Sequence, residues 1–218
     1  MENCRRPATC IAARPVARLL DRLVDETQDL HGGLDAELHS LIGHVTRVDY
    51  LRYLERTFGF VGPLERALLS TEGLSRYFDL RRLRKHDFIR RDLDALGVPF
   101  TSITATRCRT IPKFEDVHQA LGWTYVVERS TLGHPTVFRH LATIMPGDIA
   151  FASAYLKCYA GVVGEMWRDF VDALELAGER SEDADRLIGA AKECLTCHRD
   201  WIETLDQPRT AGQAEKPR

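Results

Sequence analysis

An all-α fold in a single domain is the architecture this sequence predicts, and three observations predict it. Apolar residues recur at three- and four-residue spacing along nearly the whole chain. No stretch alternates apolar and polar residues as a run of strands would. The 218 residues, 44% hydrophobic and 28% charged, suffice to bury one core without disulfide or metal staples.

The elements follow in order. Val16, Leu19, Leu20, Leu23, Leu30 and Leu34 mark the first helical stripe, and Gly32-Gly33 should loosen or break it just after His31. Tyr50, Leu51, Leu54, Phe58, Val61, Leu64 and Leu68 mark the second. Pro63 lacks a backbone donor there, so a kink is expected near residues 59–63. Residues 79–96 predict a third helix, basic at its start, and 97–112 a connector bearing Pro99 and Pro112. A fourth helix is expected over 115 to about 140, and a fifth, with a Gly161-x-x-Gly164 step, over 148 to about 177. Ser181-Glu-Asp-Ala caps the last, which should run to about 205. There is no internal repeat.

Residues 1–15 read as a flexible N-terminus, 16–205 as the domain and 206–218, polar with Pro and Gly, as a flexible tail. A formal charge of -2 argues against a bulk nucleic-acid binder. No apolar run reaches membrane-spanning length. The first fifteen residues carry arginines without a continuous apolar core, so they read as no secretory signal. Six cysteines in that setting suggest reduced thiols and a cytoplasmic location.

Two segments stand out. His31 lies on the stripe Leu20, Leu23, Thr27, His31, Leu34, Leu38. A histidine so placed is, by itself, more often a core residue than a ligand. Further on comes Leu121-Gly-Trp-Thr-Tyr-Val-Val-Glu-Arg-Ser-Thr-Leu-Gly-His134. Positions 126, 129, 133 and 137 share one helical face, so Arg129 should point wherever Gly133 does. His134 sits roughly 100° further round. Pro135 opposes the Thr131 carbonyl, so the helix should bend at this point.

Together these segments resemble the two halves of a heme oxygenase pocket of the bacterial, biliverdin-forming kind. The segment Leu23-Val-Asp-Glu-Thr-Gln-Asp-Leu-His-Gly-Gly-Leu-Asp35 is similar to the family's N-terminal proximal helix. Asp49-Tyr-Leu-Arg-Tyr-Leu, Pro63-Leu-Glu-Arg-Ala-Leu68, Asp92-Leu-Asp-Ala-Leu-Gly97, the Tyr125 segment and Gly164-Glu-Met-Trp-Arg-Asp-Phe170 match in the same order, over about residues 16–205. The resemblance implies a heme oxygenase-like helical bundle. It implies oxidative opening of heme to biliverdin, carbon monoxide and iron, with heme as both substrate and cofactor. His31 would be the iron ligand, with Thr27 a turn before it. Tyr125 and Arg168 would meet heme propionates, and Ser130, Arg129 and Gly133 would shape the opposite, distal face, where His134 could also approach the iron. Dioxygen and an external electron donor of ferredoxin or reductase type are implied, and a biliverdin-using photoreceptor is a candidate recipient of the product.

The chain departs from the family pattern at three heme-contacting positions. Arg129 and His134 replace distal glycines, which in relatives let the backbone approach the heme. Val24 replaces a basic residue expected to meet a propionate, with Arg22 as a nearby substitute. A degenerate relative that binds heme or a bilin without efficient cleavage is therefore the alternative, and Arg129 could instead pair with Glu128 or Glu165. Two weaker signals remain. Cys194-Leu-Thr-Cys-His198 spells the c-type heme attachment motif. It lies within a long helix without an export signal, so covalent attachment is not expected, although the three side chains share a face that could take an adventitious metal. Residues 79–91 carry six Arg or Lys, which read first as a solvated face and second as a docking surface for an acidic electron donor.

Overall fold

The computed structural model describes residues 18–99, 101 and 107–206, and among these there is no strand. The helices are α1 (Leu19–Thr27), α2 (Gly32–His39), α3 (Arg47–Leu69), α4 (Lys85–Ala95), α5 (Val117–Ser130), α6 (His134–Ile144), the single turn α7 (Pro146–Ile149), α8 (Val163–Ala177) and α9 (Ser181–Asp206). The termini assigned as flexible fall outside the described residues, save Asp206 at the end of α9; residues 16 and 17, the expected start of the domain, fall outside them too. No described helix is long and apolar enough to cross a membrane.

Local chemistry sets the boundaries. Thr46 and Asp49 form a reciprocal capping box that starts α3. Asp116 accepts from the backbone of His118 and Gln119 and starts α5. The pairing of α5 with α9 is close because Gly122 lies between them. A Cβ there would stand 2.7 Å from Ala190 Cβ and 2.9 Å from the Ala191 nitrogen. One apolar cluster includes Leu23, Leu64, Trp123, Tyr125, Phe170 and Leu187. A second includes Leu41, Tyr50, Leu54, Ile89, Val137 and Tyr155. The chain passes from the first cluster to the second at the α5–α6 junction.

Four predicted elements differ. The first stripe breaks before His31, not after it: Gln28–Leu30 is a 3-10 turn, and Gly32 and Gly33 open α2. In that first turn the backbone donors lack intrahelical partners anyway, so glycine is tolerated. The third helix begins six residues late, at Lys85, after a 3-10 turn capped by Asp79. The cause is Glu65 of α3, whose carboxylate accepts from the backbone of Lys85 (2.7 Å) and His86 (3.2 Å) and so ends-caps α4 from another helix. The fourth helix divides at a 3-10 turn over Thr131–Gly133, and α6 restarts with Pro135 in its first turn. Residues 150–162 are not helical as expected. Asp92 holds the backbone nitrogens of Ala154 and Tyr155 at 2.7 and 2.8 Å, and Gly161 takes φ +82° before α8. The stretch 59–63, where the sequence predicts a kink, stays within α3, which is helical through Pro63.

Candidate functional site: a histidine clasped between two helices

His31 is buried at the α1–α2 junction. Its Nε2 lies 3.0 Å from the Thr27 hydroxyl, whose single proton is donated to the Leu23 carbonyl. Thr27 must therefore accept from Nε2, which places the imidazole proton there. Nδ1 accepts from Arg129 Nη1 at 3.0 Å, reaching in from the end of α5. The same Nη1 contacts Asp35 at 3.2 Å, one turn further along α2. Burial, and then the Arg129 charge, push the His31 pKa down to about 4, against a smaller upward pull from Asp35. His31 is thus a neutral imidazole with both nitrogens engaged.

Tyr125 stands edge-on to His31, ring centroids 6.1 Å apart, and touches Trp167 at the same separation. Its hydroxyl is buried without a well-formed hydrogen bond among the described residues, and burial raises its pKa. Arg168 follows Trp167 on α8 but is exposed. It donates to the Gly164 carbonyl of its own helix and forms no ion pair among the described residues. Arg22 is committed to Glu26 and Asp185. Val24 faces solvent.

On the other side of Arg129, α2 closes on the 3-10 turn that follows α5. Leu38 occupies the space where a Gly133 side chain would stand. Ser130 donates to the Val127 carbonyl and lines a cavity of about 40 Å³ with Leu34, Leu38, Tyr53, Val126 and His198. The sequence therefore brings His31, Thr27, Tyr125, Arg129, Ser130 and Gly133 to one junction. It does not bring His134 there. His134 is buried against the Tyr155 ring at 4.6 Å, with Nδ1 3.8 Å from Cys158 Sγ. It lines a different cavity of about 290 Å³ with Pro135, Phe138, Leu156 and Lys157. The helix is interrupted at 131–133, but the interruption does not turn His134 toward His31.

A buried ionic cluster behind α5 escaped the sequence reading. Glu128 receives Lys85 Nζ at 2.7 Å, the Tyr159 hydroxyl at 3.1 Å and the Arg82 guanidinium. Lys85 is fully buried, its pKa raised by Glu128 in spite of desolvation. Two members of the basic run, expected on a solvated face, are thus internal. An acidic residue amid the apolar face of residues 120–127 was the available signal, since a buried carboxylate requires cations.

The family model for heme oxygenase matches residues 17–204. The chain belongs to the heme oxygenase family. Its fold is similar to the heme oxygenase from Neisseria meningitidis solved with NO and CO bound. The two share 21% identity over 93% of this chain and all of that one, with a TM-score of 0.71. No curated protein matches the sequence.

The donor set at His31 suits heme: a neutral imidazole beside apolar side chains, with Arg168 an exposed cation next in sequence to Trp167, which packs on Tyr125. The space in this conformation does not. About 40 Å³ holds one or two waters, far below the roughly 300 Å³ at which small-molecule pockets begin. For a porphyrin to enter beside His31, α2 would have to move off the 131–133 turn and Arg129 would have to leave His31. Of the Cys194–His198 motif, the segment is helical as expected, but its side chains diverge. Cys194 faces the Trp123 carbonyl, Cys197 faces Cys108, and His198 packs on Phe60. The described residues hold no cluster of three metal-binding groups.

Proposed function

We propose that this heme oxygenase family member binds heme between α1–α2 and α5, where His31 would hold the iron, and opens it oxidatively to biliverdin, carbon monoxide and iron. Arg129 sets how readily that occurs. The observation that carries the reading is the buried, neutral His31 at the α1–α2 junction facing α5, in a chain of the heme oxygenase family.

Heme supplies the redox chemistry, drawing on dioxygen and electrons from an external donor of ferredoxin or reductase type. The protein supplies placement. With Arg129 released, the ring proton would have to move from Nε2 to Nδ1, where it could be donated toward Asp35 one turn away; that bond would orient the ring and leave Nε2 unprotonated as the ligand once Thr27 is left. Tyr125 packs against the ring. Arg168 would meet a propionate. Ser130 would hold water on the α5 side, with the Gly133 backbone beside it. Arg129, displaced from His31, would lie over this same face, able only to donate hydrogen bonds. The exposed arginines Arg81, Arg84, Arg90 and Arg91 suit an acidic electron donor. A biliverdin-using photoreceptor and a cytoplasmic setting belong to the same reading.

A second reading is favoured by the Arg129 clasp itself: binding of heme or a bilin without efficient cleavage. Hemin added to the purified chain should produce a Soret band that His31→Ala abolishes and imidazole restores. Reductant under air should then produce bilin absorbance in the first reading and none in the second. An unchanged Soret band in His31→Ala would overturn both.

A further inference from the structure

The motif Cys194-x-x-Cys197-His198 was left without a function, and its second cysteine has a partner from elsewhere in the chain. Cys108, on the connector before α5, places its Sγ 3.9 Å from Cys197 Sγ on α9. The Thr110 hydroxyl touches both sulfurs, at 3.2 and 3.1 Å. We propose that Cys108 and Cys197 form a peroxide-oxidisable dithiol that closes to a reversible disulfide joining the connector to α9.

The two sulfurs are not equivalent. Hydrogen bonding with Cys197, and then with Thr110, holds the Cys108 thiol below its usual range in spite of its burial. The Cys197 thiol is correspondingly raised by its bond to Cys108. Cys108 is therefore the nucleophile and Cys197 the resolving thiol. Cys197 is half-buried and lines a cavity of about 520 Å³ with Thr110, Pro112 and Trp123, which admits a molecule as small as hydrogen peroxide; Cys108 is buried and does not line it, so peroxide reaches the Cys108 sulfur past the Cys197 and Thr110 side chains. Cys194, one turn earlier on α9, is fully buried and faces the Trp123 carbonyl, so it is not the partner.

The Cys108 thiolate attacks one peroxide oxygen and breaks the O–O bond. It becomes a sulfenic acid, and the departing hydroxide leaves as water with the proton the thiol lost. Cys197 Sγ then attacks the Cys108 sulfur and expels hydroxide, which takes the Cys197 proton as a second water. Two thiols lose two electrons to one peroxide. Closure requires the sulfurs to approach from 3.9 Å to about 2.05 Å. The Cys108 nitrogen is held by the Gly59 carbonyl of α3 at 2.9 Å, so the approach falls to rotation of the two side chains with a small shift of the backbone on either side.

The test is brief exposure of the reduced, metal-free full chain to equimolar hydrogen peroxide, followed by alkylation and peptide mapping. The expected product is a Cys108–Cys197 linked pair, lighter by two hydrogens and reopened by dithiothreitol. In Cys197→Ser, dimedone should trap a sulfenic acid on Cys108. In Cys108→Ser, Cys197 should stay unmodified under the same exposure. Peroxide products confined to other cysteines, Cys4 and Cys10 included, would overturn the proposal. So would irreversible oxidation of Cys108 in the native chain with no linked pair.

Discussion

Glu128 and Arg129 are neighbours on α5, yet they anchor two regions of opposite character. Glu128 and its partners Lys85 and Arg82 lie inside, with side-chain exposures of 2%, 2% and 10%. Arg129 and Asp35 are exposed to 28% and 43%. A buried ion pair is very costly to break from one side, because the remaining charge stays desolvated. A partly exposed pair exchanges its bonds for water at little net expense. The first region therefore fixes α5 against α4 and the 150–162 segment. The second holds His31 only lightly and is the part of the site that can open.

The largest expected effect follows from that contrast. Glu128→Ala strands Lys85 and should destabilise the chain by about 3–5 kcal/mol in urea unfolding, whereas Arg129→Ala should change stability by no more than about 1 kcal/mol. Comparable losses from the two would erase the distinction.

Two glycines sharpen it. Gly122 faces the backbone and Ala190 of α9, which cannot yield, and Gly122→Ala should cost about 1–3 kcal/mol. Gly133 faces only the flexible end of Leu38 and has helical φ/ψ. Gly133→Ala should therefore be near neutral, within about 1 kcal/mol, as Leu38 swings aside and unfolded-chain entropy falls. Melting of the two variants checks this, and a larger loss at Gly133 would mean that α2 is pinned.

A smaller effect concerns His134, which lies on the fixed side with Lys85, Tyr155 and Cys158 around it. Burial first, then the Lys85 charge, hold its pKa at about 3 against an ordinary 6.5. In the window between these values the unfolded chain binds the proton and the folded chain does not. Stability should therefore fall as pH drops from about 6.5 toward 3, this one histidine contributing up to about 1.4 kcal/mol per pH unit. His134→Leu should flatten the slope by that share. An unchanged slope would show that His134 is not held neutral by its surroundings.

Much of this was legible in sequence. Helical spacing at Leu51, Leu54 and Phe58 or at Leu121 and Tyr125 carries the all-α class directly, and the 126–129–133 spacing puts Arg129 on the face that meets His31. What escaped depends on contacts distant in sequence. The start of α4 is set by Glu65, twenty residues away, and the turn at Ala154–Tyr155 by Asp92, so neither boundary is written locally. Pro135 marks the interruption at 131–133 but not the direction in which His134 then points. His134 was paired with Arg129 because both replace glycines of the family pattern; the structure separates them, and only Arg129 touches His31.

Arg129→Gly compared with the native chain therefore tests the central claim most directly, in a hemin titration followed by one turnover with a ferredoxin system under air. The glycine variant should bind hemin more tightly through His31 and produce bilin bands faster than the native protein, with no change needed at His134. Equal hemin affinity and equal bilin formation in the two proteins would show that the Arg129–His31 bond governs neither step.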